Sequence, residues 1–267
     1  MTIRRTAPCT SVALLAALLA LSPSSWAREF TARQLVDHLY VVNGQLPIQT
    51  LIVEMDVSKL LSKENGGTGN LERSSKDKIC FKKPSKIHID SILIDPGGPM
   101  DGKQVSIVRD GVNMWMFISM GQYPVKKGAD QPEPTSWLPF NVQTYPVDSQ
   151  KEYTLVGKDQ VAGVSADVVR IVDPASPKAV VTVWIDRTRW VPLRKEIVRP
   201  STKPGEANAG KRILYKDIRK LSDGRYFPFL IEVYEGDVLV GAGSYKAVSI
   251  NEKLPDTLFE PLNKFLK

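Results

Sequence analysis

The chain has 267 residues, a formal net charge of +7, two histidines and two cysteines. One cysteine lies in a leader-like stretch, so the remaining Cys80 has no intramolecular disulfide partner and the fold must rest on its core. The modest positive excess suits an anionic membrane face, and nucleic acid is excluded as a partner if the chain is exported.

Residues 1–27 read as a secretory signal peptide: Arg4 and Arg5, then the apolar run Val12 to Leu21, then the small-x-small site Ser25-Trp26-Ala27. The run is too short to span a bilayer stably, although an uncleaved anchor is the alternative. Thr6-Ala7-Pro8 continues a twin-arginine motif poorly, which favours general secretion. Cys9 precedes the apolar run and cannot become a lipidated N-terminus. Cleavage near Ala27 leaves one domain, 28–267, in the periplasm, with charge reduced from +7 to +5 by loss of Arg4 and Arg5.

Thr31 and Gln34 form a capping pair, with Phe30 and Leu35 placed for a hydrophobic staple. Leu35, Val36, Leu39 and Tyr40 continue at helical spacing, which predicts a helix to about Val42. Gln49 to Val57 alternates, with Leu51, Val53, Met55 and Val57 on one face. Leu60 to Lys78, containing Gly66-Gly67-Thr68-Gly69, reads as a loop. Strands follow at Ile79 to Lys82 and at Lys86 to Leu93, the second with Ile87 and Ile89 on one face. Asp95 to Pro99 is a turn cluster, and Val105 to Arg109 and Val112 to Ser119 form a hairpin at Asp110-Gly111.

Residues 120–150 carry Pro124, Pro132, Pro134, Pro139 and Pro146, which forbid a long helix or central strand. Trp137 and Phe140 in this segment read either as a lid or as a plug at one end of the core. Strands resume at Tyr153 to Gly157 and Asp167 to Val172. The hairpin Val180 to Val198 turns at Asp186 to Arg189 and points its charges, Lys195 among them, to water. Pro200 to Gly210 is a second loop. Ile213 to Lys220, Tyr226 to Tyr234, Asp237 to Val240 and Gly243 to Ile250 complete the set, turning at Asp223-Gly224 and Glu235-Gly236-Asp237.

About eleven strands and one main helix predict a mainly β (α+β) fold. One helix cannot cover both faces of so large a sheet. The expected form is a strongly curved antiparallel sheet, an incomplete barrel, with the N-terminal helix and loops over its concave face.

Catalytic motifs are missing. His38 and His88 lack metal-ligand spacing. Gly163 to Asp167 lacks the second glycine of a nucleophile elbow, and no phosphate-binding glycine loop occurs. Cys80 reads as a small buried residue, and Asp95 to Gly102 has too few oxygen ligands for a calcium loop. No enzyme, cofactor or metal is expected. Large apolar residues do recur on single faces: Leu35 and Leu39 on the helix, and Leu51, Val53, Met55, Ile87, Ile89, Met114, Met116, Val169, Ile171, Phe229, Ile231 and Val233 on the strands. Two readings stand, an ordinary core and the lining of an acyl-chain cavity, for which adaptable methionines are suited.

Several segments together resemble the LolA/LolB-like family, in particular the outer-membrane lipoprotein-sorting group. They are Cys80 to Ile87, the hairpin Asp110 to Phe117, Gly157 to Gly163 with Asp167-Val168-Val169, Val183-Trp184-Ile185-Asp186 with Pro192-Leu193-Arg194, and Tyr215 with Asp223-Gly224 and Pro228. The resemblance implies an incomplete antiparallel barrel with a hydrophobic cavity. It also implies a monomeric soluble carrier that shields acyl chains of a lipoprotein or lipid and moves them toward the outer membrane of a Gram-negative cell. The chain departs from that pattern where the family has lid helices and this sequence has the proline-rich segment 120–150. A sensor or envelope-complex protein that contacts inner- or outer-membrane proteins through the same fold is the alternative.

Overall fold

The computed structural model describes residues 30–40, 48–60, 69–118, 121–124, 150–174, 176–199 and 209–260. It divides into two units, Met1–Thr31 and Ala32–Lys267. Among the described residues the second unit carries helix α1 (Ala32–Tyr40) and thirteen strands. These are β1 (Thr50–Leu60), β2 (Leu71–Lys82), β3 (Lys86–Leu93), β4 (Gln104–Arg109), β5 (Met114–Ile118), β6 (Gly121–Pro124) and β7 (Glu152–Val161). Then come β8 (Val164–Asp173), β9 (Ser176–Asp186), β10 (Val191–Arg199), β11 (Ala209–Lys220), β12 (Tyr226–Glu235) and β13 (Val238–Ile250), followed by a 3-10 turn at Asp256–Phe259. The signal-peptide reading of 1–27 and the residues Trp137 and Phe140 lie outside the described residues.

Every pairing is antiparallel, in the order β6-β5-β4-β3-β2-β1-β13-β12-β11-β10-β9-β8-β7. Two meanders therefore run outward from one long-range seam, where β1 pairs with β13. The sheet is curved and open: β6 and β7 end it and do not pair with each other. Bulges at Glu54/Met55, Val57/Ser58, Pro192/Arg194, Val233/Tyr234 and Leu155/Gly157 add the local bending that so many strands require.

The turns follow their chemistry. Ala162 and Gly163, at φ 49° and 80°, close the two-residue β7–β8 hairpin. Asp186 Oδ1 accepts the amides of Thr188 (2.8 Å) and Arg189 (3.2 Å), shaping the β9–β10 turn. Asp110 Oδ1 does the same for Val112 and Asn113, each at 2.8 Å.

Several elements differ from expectation, including β7 and β8, which extend through Val161 and from Val164 where strands were expected to end at Gly157 and begin at Asp167. Thirteen strands form instead of about eleven. Leu71 to Lys78, expected as loop, is the first part of β2, because it pairs with β1 along its length and, from Ser75, with β3 as well, despite its polar sequence. Val238 to Ile250 is one strand, and β6 occurs inside the proline-rich segment, with Pro124 on the sheet's edge strand, where proline costs no ladder bond.

Candidate functional site

Residues directly opposite in an antiparallel ladder share a face, so the register fixes which side chains meet. Met116, Ile107, Ile89, Ile79, Val53 and Val248 form one continuous row across β5, β4, β3, β2, β1 and β13. Met114, Arg109, Ile87, Phe81, Leu51 and Ile250 form the next. On the other half, Val233, Ile213, Lys195, Val183, Val169 and Leu155 run from β12 to β7, and Ile197, Val181, Ile171 and Tyr153 run beside them. Gly243, Ile231 and Tyr215 link the halves. Met55 faces Tyr245, and Phe229 lies on the Ile231 face by alternation. All twelve expected strand positions thus share one face.

Burial grades along that face. Leu51, Val53, Ile87, Val169, Val183 and Ile231 are at most 1% exposed, covered by the protein's own atoms. Phe227 meets Phe229 and Tyr245 edge-on at centroid distances of 6.0 and 5.3 Å. Toward the ends the face surfaces: Met114, Met116 and Val233 are half-buried, and Leu155 is 46% exposed. Helix α1 buries Ala32, Leu35, Val36 and Leu39, lies against β7 and β8, and stacks His38 on Trp190 at 4.8 Å. Leu35 and Leu39 therefore belong to the β7–β10 half and not beside Leu51 or Ile87.

Charged residues interrupt the face, among them Arg109, Lys195 and Asp77. Lys195 was expected in water but is only 8% exposed. The bulge at Pro192/Arg194 explains this: Val191 and Leu193 point to the opposite face, and past the bulge the alternation is reversed, so Lys195 and Ile197 point into the apolar face. Burial, followed by the nearby charge of Lys151, pushes the Lys195 ammonium down to about 8. Asp77, between Met55 and Ser91, is raised by burial, and its Oδ1 has no hydrogen-bond partner among the described residues.

The opposite face is also partly apolar. Ala166, Val168, Trp184, Val191 and Leu193 form a cluster, with Arg194 lying 4.4 Å over the Trp184 ring and Asp159 accepting its indole N–H at 2.8 Å. On the β1–β5 half the segment 251–260 straps across the strands. Thr50 Oγ1 donates to the Glu252 carbonyl (2.7 Å), Lys82 and Lys86 hold Asp256 (2.9 and 2.7 Å), and His88 Nδ1 lies 2.7 Å from the Leu258 carbonyl. Phe259 is fully buried at the end of this strap.

A groove of about 420 Å³ lies around Glu54, Asp56, Arg73, Lys76, Lys78, Asp90, Gln104 and Lys246. It is a charged groove and not the apolar cavity expected from the strand pattern. Its charges largely neutralise each other, through Arg73 with Asp56, Lys78 with Glu54 (3.6 Å) and Lys246 with Asp56 (3.4 Å).

Ser106, Asp90 and His88 are adjacent: Ser106 Oγ donates to Asp90 Oδ1, which also lies 3.1 Å from His88 Nε2, so the carboxylate stands between hydroxyl and imidazole, unlike the order of a serine–histidine–aspartate triad. Among the described residues no group of three or more His, Cys, Asp or Glu side chains could hold a metal, and no helix is long and apolar enough to cross a membrane.

This architecture matches solved structures at low sequence identity. A LolA superfamily protein from Nitrosomonas europaea aligns with a TM-score of 0.60 at 12% identity, over 87% of this chain and 99% of that one. The fold is LolA-like. An outer membrane lipoprotein-sorting protein domain from Vibrio parahaemolyticus gives 0.61 at 10% identity, over 86% and 95%. A DUF1329 family protein from Desulfovibrio piger gives 0.60 at 13%, over 86% and 95%. A model of the MucB/RseB N-terminal domain family matches residues 98–208. No curated protein matches the chain in sequence.

Within the LolA-like sheet, Lys195 and the His88 strap were not apparent from sequence. The signal for Lys195 is the break in alternation between Leu193 and Lys195, which only a bulge reconciles with Val183 as its partner. His88 gave no signal, because its partner Leu258 is distant in sequence and contributes only a main-chain carbonyl.

Proposed function

We propose that the chain is a periplasmic binding protein, exported by the leader 1–27, that holds acyl chains of a lipoprotein or lipid on its apolar sheet face and moves them toward the outer membrane. The observation that carries this reading is the continuity of that face: buried in the middle of the ladder, it reaches the surface at Met114 and Met116 near one end and at Leu155 on the other. The LolA-like fold supports it, as does the likeness to a lipoprotein-sorting domain. Each methylene removed from water contributes about 0.8 kcal/mol, so about a dozen would supply on the order of 10 kcal/mol before ordering costs. Because the central residues are covered by the protein's own atoms, loading requires that cover to shift.

A second reading is a regulatory or envelope-complex protein that uses the same sheet to contact a membrane protein. The match of residues 98–208 to the MucB/RseB N-terminal domain favours it. Titration with a fluorescent acyl probe separates the two. Saturable binding, displaced by unlabelled fatty acid, supports the carrier. A protein that ignores the probe and co-purifies stoichiometrically with a membrane protein supports the regulator.

A further inference from the structure

We propose that the cations gathered around Asp56, in the groove on the face opposite the apolar one, bind the phosphate monoester head group of a lipid presented at a membrane surface. This surface is separate from the acyl-binding reading and does not depend on it.

Two bulges build the cluster. By alternation Glu54, Asp56 and Ser58 lie on the face of β1 opposite Leu51, Val53, Met55 and Val57. On β13, Ala247 pairs with Glu54 and Tyr245 with Met55, so Lys246 is the extra residue of a bulge, and its ammonium lies 3.4 Å from Asp56 Oδ2. On β2, Ser75 pairs with Val57 and Arg73 with Ser58, so Ser74 is the extra residue. That shift takes Arg73 off the face it would share with Ser75 and onto the face of Asp56, whose Oδ1 accepts from its guanidinium. Lys76 needs no bulge, because it stands directly opposite Asp56 in the ladder. Bulges re-aim single side chains beside functional sites, and here one on each neighbour of β1 delivers a cation to the same carboxylate.

The charges around Asp56 do not balance. Burial pulls Asp56 up, but Arg73 and Lys246 outweigh it and hold the carboxyl below its ordinary value. One carboxylate therefore faces Arg73, Lys76 and Lys246, three positive charges against one negative, an excess of two. Lys76 makes no ion pair among the described residues. The adjoining charges close on one another: Lys78 lies 3.6 Å from Glu54, and Asp90 lies 3.1 Å from His88 and accepts from Ser106. Asp77 also lines the groove, but burial raises it toward its neutral form.

The excess charge and the donor types select the anion. A phosphate monoester carries about −1.5 to −2 at pH 7 and has three acceptor oxygens. A guanidinium can take two of these in a fork, and the ammoniums act as point charges. The groove, about 420 Å³, has room for such a head group. Ile92, 49% exposed, stands across the ladder from Lys76. It offers hydrocarbon beside the cations, which suits the root of a lipid and gives a free phosphate nothing. Ion pairs this exposed contribute little, so Arg73 and Lys246 can turn from Asp56 to a ligand at small cost.

The test is co-sedimentation of the full chain with phosphatidylcholine vesicles containing phosphatidic acid, or twice the mole fraction of phosphatidylglycerol to match the surface charge. Calorimetric titration with inorganic phosphate is run beside it. Wild type should prefer the phosphatidic acid vesicles severalfold over the charge-matched ones. Lys76→Gln should weaken that binding by about tenfold, the loss of one charge-assisted hydrogen bond. Lys211→Gln makes the same charge change at an exposed site on β11 and should leave binding within about twofold of wild type. Equal losses in the two variants, or equal binding to both anionic vesicles, overturn the site in favour of general attraction to a negative surface. Saturable binding of inorganic phosphate without vesicle binding overturns the lipid assignment. Binding to neither overturns the proposal, and the acyl-probe titration, which reads the other face, is untouched by that result.

Discussion

His88 Nδ1 lies 2.7 Å from the carbonyl oxygen of Leu258, 170 residues further along the chain, while its Nε2 lies 3.1 Å from Asp90 Oδ1. Both neighbours are acceptors, so only the doubly protonated imidazolium donates to both. Burial pulls the imidazole down, but the hydrogen bond and charge of Asp90, with the Leu258 carbonyl, outweigh it and leave His88 raised above its ordinary value. A raised folded value means that the folded state binds the proton more tightly. The stability from this pair is therefore fully present below about pH 6.5 and is lost as pH rises through the raised value. Denaturant unfolding should show wild type losing stability relative to His88→Ala between mildly acidic and mildly alkaline pH, by about 1 kcal/mol. Hydrogen exchange in 252–260 should quicken over the same interval. An equal pH slope in both proteins would remove the strap from this account.

Phe259 is the apolar end of that strap and is 1% exposed. Phe259→Ala should cost about 3–5 kcal/mol if the strap is integral to the fold. A cost under about 1 kcal/mol, as for a surface site, would show that it is not.

Lys195 makes the opposite pH prediction. Its folded value is about 8, against about 10.4 in an unfolded chain. The unfolded state binds more protons between those values, so the penalty is full below about 8 and disappears as pH rises toward 10.4. Lys195→Met should be more stable than wild type by about 2–3 kcal/mol at neutral pH, and the difference should shrink at alkaline pH. Urea unfolding at both pH values reads this without any ligand.

Core and binding surface can be separated on the apolar face itself. Leu51 is fully buried, so Leu51→Ala should cost about 2–5 kcal/mol. Leu155 is largely exposed, so Leu155→Ser should cost under about 1 kcal/mol yet weaken acyl-probe binding severalfold. Equal binding by Leu155→Ser and wild type would place the ligand away from the β7 edge.

The fold was legible in the sequence because alternation writes one face of each strand directly: Leu51, Val53 and Met55 meet Phe81, Ile79 and Asp77 on β2, and Ile87 and Ile89 meet Phe81 and Ile79, without a change of phase. Turn chemistry at Asp110-Gly111 and Asp186 was legible for the same local reason. Two kinds of information were not. Polar strand segments such as Leu71 to Lys78 are held by the β1 ladder and, from Ser75, by β3 as well, and carry little pattern of their own. Bulges change phase within a strand, so Lys195 reads as solvent-facing until its opposition to Val183 is known. Contacts through main-chain atoms at long range, such as His88 with Leu258, leave no residue-type signature at all.

The apolar face is the feature on which the rest depends, and its occupant can be weighed directly. Native mass spectrometry of protein purified from the cell envelope, followed by lipid extraction, should show the intact chain carrying acyl species that are lost on denaturation. Protein that emerges empty, and stays empty after incubation with fatty acid or lipoprotein acyl chains, would contradict the carrier account.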